Sequence, residues 1–273
     1  PMAASTFGCG QLLKTMLDTG CRHIFIGMGG SATVDGGMGL LSALGARFTD
    51  NAGNLLKACG AALEQVAHAD LSGLDSRLRE TRIRVLCDVD NPLLGPTGAA
   101  RTFAPQKGAT PEQTERLEHG LAIYARALSE TTDTDISALA GTGAAGGAAA
   151  ALYAIGGRLC SGIEEVLDML DFNSRLRDAD LVITGEGRID AQTLHGKTAS
   201  GILHRASRLG IPVAALAGQA LNPEALRQAG FAYIDAITPR GLPLGEAMRP
   251  ATARRNLTNA AVRLATSLLN HLS

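Results

Sequence analysis

A carboxylate, a guanidinium group and a second carboxylate follow closely after one short apolar segment. Glu186, Arg188 and Asp190 come directly after Leu181-Val182-Ile183, a segment rich in β-branched residues that predicts a buried strand. Ligands of open α/β sheets bind where the strands end, so we expect residues 184–190 to form a loop that carries a site. One carboxylate could take a proton from a substrate hydroxyl while the other helps to bind magnesium, or both could simply pair with Arg188.

The second candidate is a glycine-rich loop over residues 27–39, which contains six glycines in thirteen residues. It follows a predicted strand from His23 to Gly27, and successive backbone N–H groups in such a loop can surround an anion. Ser31, Thr33 and Asp35 add hydroxyl and carboxylate groups suited to phosphates, substrate hydroxyls or magnesium. Close packing of backbone segments is the alternative explanation for the glycines.

Part of this loop also fits a dinucleotide-binding fingerprint. Gly27-x-Gly29-x-x-Ala32 follows a strand and Asp50 lies at a suitable distance, a combination typical of nicotinamide-dependent oxidoreductases. The fingerprint needs a stable helix directly after the turn, whereas Gly36, Gly37 and Gly39 would each cost about 1 kcal/mol there relative to Ala. The oxidoreductase is therefore the alternative and not the first hypothesis.

Other polar loops add further candidates. Asp88 and Asn91 follow the predicted strand from Arg82 to Cys87 and could ligate a metal or bind a polyol, although Asp/Asn-Pro also begins ordinary turns. Lys107 lies on a Gly/Pro-rich segment, where it could contact a phosphate or be an ordinary surface lysine. A second glycine-rich segment, residues 141–147, precedes an Ala-rich helix.

The composition argues against several classes of protein. With a net charge of −1 and no Lys/Arg-rich segment, we expect no nucleic-acid partner, and no apolar segment is long enough to span a membrane. Five cysteines without a CxxC motif argue against a disulfide framework and structural zinc, which favours the reducing cytoplasm. The histidines show no ligand spacing, so we expect no transition-metal site.

Predicted strands and helices alternate along the chain, which indicates an α/β fold with a largely parallel sheet. Pro111 marks the start of a long helix, as expected for proline in a first turn. We propose one boundary, at Gly156-Gly157, which divides the chain into residues 1–157, containing the glycine-rich loops, and residues 158–273.

Taken together, these stretches resemble the glycerate kinase family, the bacterial type I enzymes that phosphorylate D-glycerate with ATP. Five ordered motifs carry the resemblance: STFGCGQ at 5–11, GMGGSATVDGGMG at 27–39, DVDNPLLGPTGAARTFAPQKG at 88–108, GAAGG at 143–147 and TGEGRIDAQTLHGK at 184–197. The resemblance implies two α/β domains, in which residues 1–157 are a mixed α/β domain inserted into a Rossmann-like domain and residues 158–273 are the C-terminal part of that second domain. It also implies that ATP, Mg²⁺ and glycerate are required.

The chain departs from the family pattern in two respects. Single residues differ mildly, with Cys9, Val34, Ala104 and Ala199 where Thr, Asn, Gly and Pro are usual. The family also carries an N-terminal segment with a first strand and an Asp-Ser-Phe-Lys-like motif that these 273 residues do not contain. A shortened kinase that is inactive alone, or a remnant that binds ligands without turnover, is therefore a third hypothesis.

The resemblance assigns expected roles to the candidates. Asp190, or failing it Asp35, would accept the proton of the attacking hydroxyl, and Glu186 and Asp88 would bind Mg²⁺. Lys107, Arg188 and Lys197 would offset phosphate charge. The remaining expected ligand contacts are Gly29, Gly30, Ser31, Thr33, Asn91, Gly143, Gly146 and Gly147. The sequence leaves open which loop binds nucleotide, which hydroxyl is phosphorylated and whether the chain forms a homodimer.

Overall fold

The computed structural model describes residues 1–190 and 198–272, with side chains described as far as Leu269. It divides into two compact units, Pro1–Gly162 and Ile163–Ser273. The strands are β1 (His23–Gly27), β2 (Arg47–Thr49), β3 (His68–Asp70), β4 (Arg82–Leu86), β5 (Arg158–Cys160), β6 (Val182–Ile189), β7 (Val213–Ala220) and β8 (Tyr233–Ala236). The helices are α1 (Phe7–Asp18), α2 (Met38–Ala43), α3 (Ala99–Phe103), α4 (Pro111–Thr132), α5 (Ala148–Ala154), α6 (Gly162–Met169), α7 (Phe172–Leu176), α8 (Thr198–Ser207), α9 (Pro223–Gln228), α10 (Leu244–Ala247) and α11 (Pro250–Leu272).

The first unit is built on a parallel sheet with strand order β1-β4-β5 and a separate antiparallel pair, β2-β3. Ile24 pairs with Ile83, and Val85 pairs with Leu159, and both Ile83 and Val85 of the middle strand are buried in the core. Because β1 and β4 run parallel, the chain leaves both strands at the same edge of the sheet. The loops that carry chemistry in this unit begin at that edge.

The long helix α4 supports the first unit from one side. Its start is fixed by a capping box, in which Thr110 Oγ1 accepts from the Gln113 N–H and the Gln113 side chain accepts from the Thr110 N–H. Leu117, Leu121 and Tyr124 lie on one face at helical spacing and are fully buried. This buried face holds the glycine-rich loop from behind, since the Tyr124 ring occupies the space where a Gly36 side chain would lie.

The second unit contains a parallel sheet with strand order β6-β7-β8. The middle strand, β7, is buried on both faces, as a central parallel strand is expected to be. Val213, Ala215 and Ala217 join one apolar cluster, whereas Ala214 and Leu216 join another that includes Ala260 and Leu264 of α11. The largely parallel α/β character predicted from the sequence is thus confirmed in both units.

The predicted loop over residues 184–190 is wrong for most of its length. The strand does not stop at Ile183 but continues as β6 to Ile189, with Glu186 opposite Ala217 and Arg188 opposite Gln219 on β7. Glycines made this segment look like a turn, yet neither Gly185 nor Gly187 has a positive φ. A Cβ atom at Gly218 would lie 2.4 Å from the Gly187 carbonyl oxygen. Because glycine has no Cβ, β6 and β7 can stay paired at this point.

The first unit ends five residues beyond the predicted boundary at Gly157. Arg158–Cys160 pairs with β4 as β5, which draws this segment into the first unit. The insertion of one domain into another stays a prediction. No helix among the described residues has the length and apolar character needed to cross a membrane.

Candidate functional site

A pocket of about 270 Å³ opens at the edge of the first unit where β1 and β4 end. Its walls come from the segments that follow those two strands, together with the end of α3, the residues just after it and the middle of the second glycine-rich segment. This is the position at which parallel α/β sheets bind their ligands. The lining residues are Met28, Gly29, Gly30, Ser31, Leu86, Cys87, Asp88, Val89, Phe103, Gln106, Lys107, Ala144 and Ala145.

Lys107 is the cation of this pocket. Its Nζ donates to Ser31 Oγ at 2.8 Å and to the Thr33 carbonyl oxygen at 2.9 Å. Among the described residues these are its only hydrogen-bond acceptors, so one of the three ammonium donors has no acceptor there. Partial burial lowers the pKa of Lys107, and the charge of nearby Asp35 opposes that shift. The sequence left a surface lysine as an equal alternative, and the structure places the side chain in the pocket, held by the glycine-rich loop.

Asp35 lies beneath the loop and not in the pocket. Its side chain is fully buried, and Oδ2 accepts from the Thr6 N–H at 2.7 Å, the Thr6 hydroxyl at 2.8 Å and the Gly39 N–H at 3.2 Å. Oδ1 accepts from the Gly37 N–H at 3.2 Å. Burial raises the pKa of Asp35, and these hydrogen bonds act in the opposite direction. A carboxylate occupied by four donors is suited to positioning the loop rather than to accepting a proton from a substrate.

Thr6 is a contributor that the sequence did not single out for this role. The Phe7 N–H at the start of α1 donates to Ser5 Oγ at 3.2 Å, and the side chain of Thr6 does not cap that helix. Its hydroxyl instead donates to Asp35 and accepts from the Leu40 N–H at 2.9 Å, so it joins the entry of α1 to the first turns of α2. The separation of Thr6 and Asp35 by 29 residues left no local signal for this contact.

The two glycine-rich segments pack against each other through their backbones. The Gly36 N–H donates to the Gly146 carbonyl oxygen at 3.0 Å. A Cβ atom at Gly146 would lie 2.0 Å from the Thr33 carbonyl oxygen, and one at Gly147 would lie 2.8 Å from the Gly36 Cα. A Cβ at Gly143 would lie 2.3 Å from the Pro92 carbonyl oxygen. Close packing therefore accounts for Gly143, Gly146 and Gly147, which are all buried.

Gly29 and Gly30 differ from the buried glycines. Both are exposed, both line the pocket, and a Cβ at either one would meet no protein atom within 4 Å. Gly30 has a φ of +67°, which favours glycine for backbone reasons alone. Gly29 has neither a positive φ nor a crowded Cβ position. The absence of a side chain at Gly29 leaves room for a ligand to approach the backbone.

Asp88 and Asn91 follow β4 but differ in what they contact. Asp88 lines the pocket, and its Oδ1 accepts from the Gly162 N–H at 3.0 Å. The Asn91 amide donates to the Thr97 carbonyl oxygen at 2.7 Å, and the Asn91 carbonyl oxygen accepts from the Gly143 N–H at 2.9 Å. Asn91 thus braces the loop that leads to α3, whereas Asp88 presents a carboxylate to the pocket.

In the second unit, the two charged residues of β6 and Asp190, which follows the strand, all have partners. Glu186 Oε1 accepts from the Ala199 N–H, at 3.3 Å, in the first turn of α8. Arg188 forms an ion pair of 3.0 Å with Asp190. The arginine side chain is 59% exposed and the aspartate 15% exposed, so the carboxylate lies inside and the guanidinium group outside. Lys197, the remaining predicted contact, lies outside the described residues.

The glycerate kinase family model matches residues 1–269, which is nearly the whole chain. The chain belongs to the glycerate kinase family. The resemblance inferred from the five motifs is therefore confirmed.

Individual proteins that are similar to this chain are also named glycerate kinases. A glycerate kinase of Bacillus subtilis (strain 168) is 44% identical over 253 residues, covering 92% of this chain, and a glycerate 2-kinase of Escherichia coli (strain K12) is 40% identical over 274 residues, covering 99%. A crystal structure from Salmonella typhimurium LT2, provisionally assigned as glycerate kinase 2, superimposes with a TM-score of 0.82 at 45% identity and covers 98% of this chain. The chain spans 66% of the B. subtilis protein, 72% of the E. coli protein and 71% of the Salmonella chain.

The loop after β1 in this chain differs from the dinucleotide-binding loop of a nicotinamide-dependent enzyme. In the dinucleotide fingerprint a helix begins directly behind the glycines, so that its N-terminus meets the pyrophosphate. Here α2 begins only at Met38, and Gly36 and Gly37 fill the intervening turn with φ values of +62° and +77°. The structure thus gives the oxidoreductase alternative no support at this loop.

A magnesium ion bound by the described residues of this glycerate kinase family member would have to share its coordination with a substrate. They contain no group of three or more His, Cys, Asp or Glu side chains that could hold a metal. Mg²⁺ in phosphoryl-transfer enzymes is usually bound by one or two carboxylates together with substrate phosphates and water. A single carboxylate such as Asp88 or Glu186 meets that requirement.

Proposed function

We propose that this chain serves the ATP-dependent phosphorylation of D-glycerate. The observation that carries the proposal is the pocket of the first unit, in which a lysine with a spare donor and the open backbone at Gly29 face a small space of mixed polar and apolar lining. This arrangement suits a small organic anion, and membership of the glycerate kinase family supplies the reaction. Because the E. coli relative is named a glycerate 2-kinase, we extend the proposal to the 2-hydroxyl group.

Phosphoryl transfer depends on positioning and charge neutralisation more than on covalent steps. In our proposal Lys107 and the backbone N–H groups of the 29–31 segment bind and orient an anionic group. Asp35 positions that segment from below. Asp190 accepts the proton of the attacking hydroxyl, and Arg188 offsets phosphate charge. Bound Mg²⁺ neutralises phosphate charge, and Asp88 or Glu186 is its proposed ligand.

The test is ADP release from ATP and Mg²⁺ with D-glycerate as acceptor, measured beside binding of each ligand. The proposal expects ADP formation that depends on D-glycerate, and no reduction of NAD by glycerate. Binding of both ligands without ADP release supports the remnant hypothesis instead. NAD binding in place of ATP binding supports the oxidoreductase.

Asp190→Asn tests the assignment of the base. We expect kcat to fall by a factor on the order of 100 or more with an unchanged unfolding midpoint, since general-base catalysis typically contributes ~10²–10⁴-fold. Asp235→Asn is the matched control, because Asp235 is an ion-paired aspartate on the same sheet that has no proposed role in the reaction. A near wild-type kcat for Asp190→Asn would show that another group accepts the proton.

The proposal also covers cellular context. We propose a cytoplasmic enzyme, since ATP is available there and five free cysteines suit a reducing compartment. We propose a homodimer as the state to test, by sedimentation at several protein concentrations.

A further inference from the structure

We infer that the pocket between Gly29 and Lys107 is the subsite for the carboxylate of the three-carbon acceptor, and that the nucleotide phosphates bind elsewhere. This inference rests on the proposed function and assigns one of its two substrates to one place. The sequence alone left open which glycine-rich loop serves which substrate.

The charges of the pocket fit one carboxylate better than a polyphosphate. Among the described residues that line the pocket, Lys107 is the only cation and Asp88 the only carboxylate. A triphosphate carries several negative charges, and Asp88 would repel them. A monocarboxylate needs one cation, and a neighbouring hydroxyl group can donate to the Asp88 carboxylate, whose Oδ1 already accepts from the Gly162 N–H. If Asp88 binds an acceptor hydroxyl in this way, Glu186 becomes the proposed Mg²⁺ ligand.

The hydrogen bonds of Lys107 prepare it for one further acceptor. Ser31 Oγ and the Thr33 carbonyl oxygen hold two of its donors, which fixes the direction of the third. Both acceptors are neutral, and no carboxylate in the described part of the chain forms an ion pair with Lys107. The ammonium group is therefore half-buried without an ion-pair partner, and Asp35 acts on it only from beneath the loop, so a bound carboxylate would stabilise the charge directly.

The size of the pocket agrees with this assignment. Its volume of about 270 Å³ lies just below the range of ~300–1,000 Å³ that is usual for drug-sized ligands. A three-carbon acid fits such a space with water to spare, whereas a base, a ribose and three phosphates do not. The open space around the Cβ position of Gly29 adjoins Lys107 and belongs to the same volume.

The test is calorimetric titration of D-glycerate and of ATP–Mg²⁺, separately, into the wild-type chain and Lys107→Met. We expect the Kd for D-glycerate to rise by about tenfold or more, as for the loss of a charge-assisted hydrogen bond, and the Kd for ATP to stay within about twofold. Lys57→Met is the matched control, since Lys57 is exposed and lies outside this pocket. Glycerol, which lacks the carboxylate, should bind wild type and Lys107→Met equally weakly.

Gly29→Ala provides a second variant in case Lys107→Met fails to fold. It should weaken the binding of D-glycerate, leave the binding of ATP unaffected and keep the unfolding midpoint unchanged. Weakened ATP binding with unchanged D-glycerate binding, in either variant, overturns the inference, and so does a wild-type chain that does not bind D-glycerate. The proposed function fails by a different result, namely D-glycerate binding that Lys107→Met weakens without any transfer of phosphate by the wild-type protein.

Discussion

Thr6 donates both its backbone N–H and its hydroxyl to one oxygen of Asp35, at 2.7 and 2.8 Å, although 29 residues separate them. The same hydroxyl accepts from the Leu40 N–H at 2.9 Å. A single threonine thus joins the start of the chain, the buried carboxylate under the glycine-rich loop and the first turns of α2.

Replacing Thr6 by Val should destabilise the first unit, because the isosteric side chain leaves the Leu40 N–H without its acceptor and Asp35 with one donor fewer. We expect a loss of about 1–3 kcal/mol in the free energy of unfolding, measured by urea denaturation. Thr6→Ser, which keeps the hydroxyl, should recover most of this stability. The matched control is Thr114→Val, since the buried Thr114 hydroxyl donates only within its own helix. Equal losses at the two threonines would contradict a special role for the Thr6–Asp35 contact.

The packing of the two glycine-rich segments predicts that Gly146→Ala is severely destabilising. The added Cβ would lie 2.0 Å from the Thr33 carbonyl oxygen at a residue whose φ is +66°. Gly156→Ala is the control, because Gly156 has a φ of +94° but open space around it, and should cost only about 1–2 kcal/mol from the backbone conformation. Thermal unfolding should show a much larger loss for Gly146→Ala. Similar unfolding midpoints for the two variants would mean that the two glycine-rich segments can move apart at Gly146 without loss of stability.

Gly29→Ala should reduce activity with D-glycerate without reducing the stability of the fold. Because its backbone conformation and surroundings accept a methyl group, the unfolding midpoint should change by less than about 2 °C, as for an ordinary surface substitution. The kcat/KM for D-glycerate should fall. Gly8→Ala, an exposed helical position with equally open space, should keep full activity and gain slightly in stability. Full activity of Gly29→Ala would show that the ligand does not approach this backbone.

The affinity for D-glycerate should decline at alkaline pH. Burial lowers the pKa of Lys107, so as pH rises the ammonium group loses its proton before an ordinary lysine would, and the charge that attracts the carboxylate disappears. The charged groups near Lys107 are Asp35, which opposes this shift, and Asp88. Burial raises the pKa of the Cys87 thiol, which therefore stays protonated to higher pH than an ordinary cysteine. Lys107→Arg, whose guanidinium group stays charged, should remove the alkaline decline. A decline that persists in Lys107→Arg would assign it to another group.

Sequence reasoning located the elements whose signals are local. The strand His23–Gly27 and the start of α4 at Pro111 agree with the structure because β-branched residues, a capping threonine and a first-turn proline act over a few residues. The strand β6 was cut short because glycine disfavours strands intrinsically, and only pairing with β7 extends it to Ile189. Propensity rules contain no information about a strand partner 31 residues further along the chain.

Five residues of the predicted site line the pocket, and the sequence did not indicate the part that each one takes there. Glycine-rich spacing marked the loop, but residue type alone does not separate Gly29, which faces open space, from Gly146, which faces a carbonyl oxygen. Asp35 and Lys107 were both reasonable catalytic candidates, and only burial and hydrogen-bond partners distinguish the positioning carboxylate from the lysine that lines the pocket. Such distinctions depend on tertiary contacts that spacing does not encode.

The most direct test of the account is the product itself, followed by phosphorus NMR in a mixture of the protein, ATP, Mg²⁺ and D-glycerate. We predict a new phosphomonoester resonance, at the position of 2-phosphoglycerate, that grows as the γ-phosphate signal of ATP declines and is strongly reduced with Lys107→Met. If ATP and D-glycerate both bind and no phosphoglycerate resonance appears, or if it appears equally fast with Lys107→Met, the account is wrong.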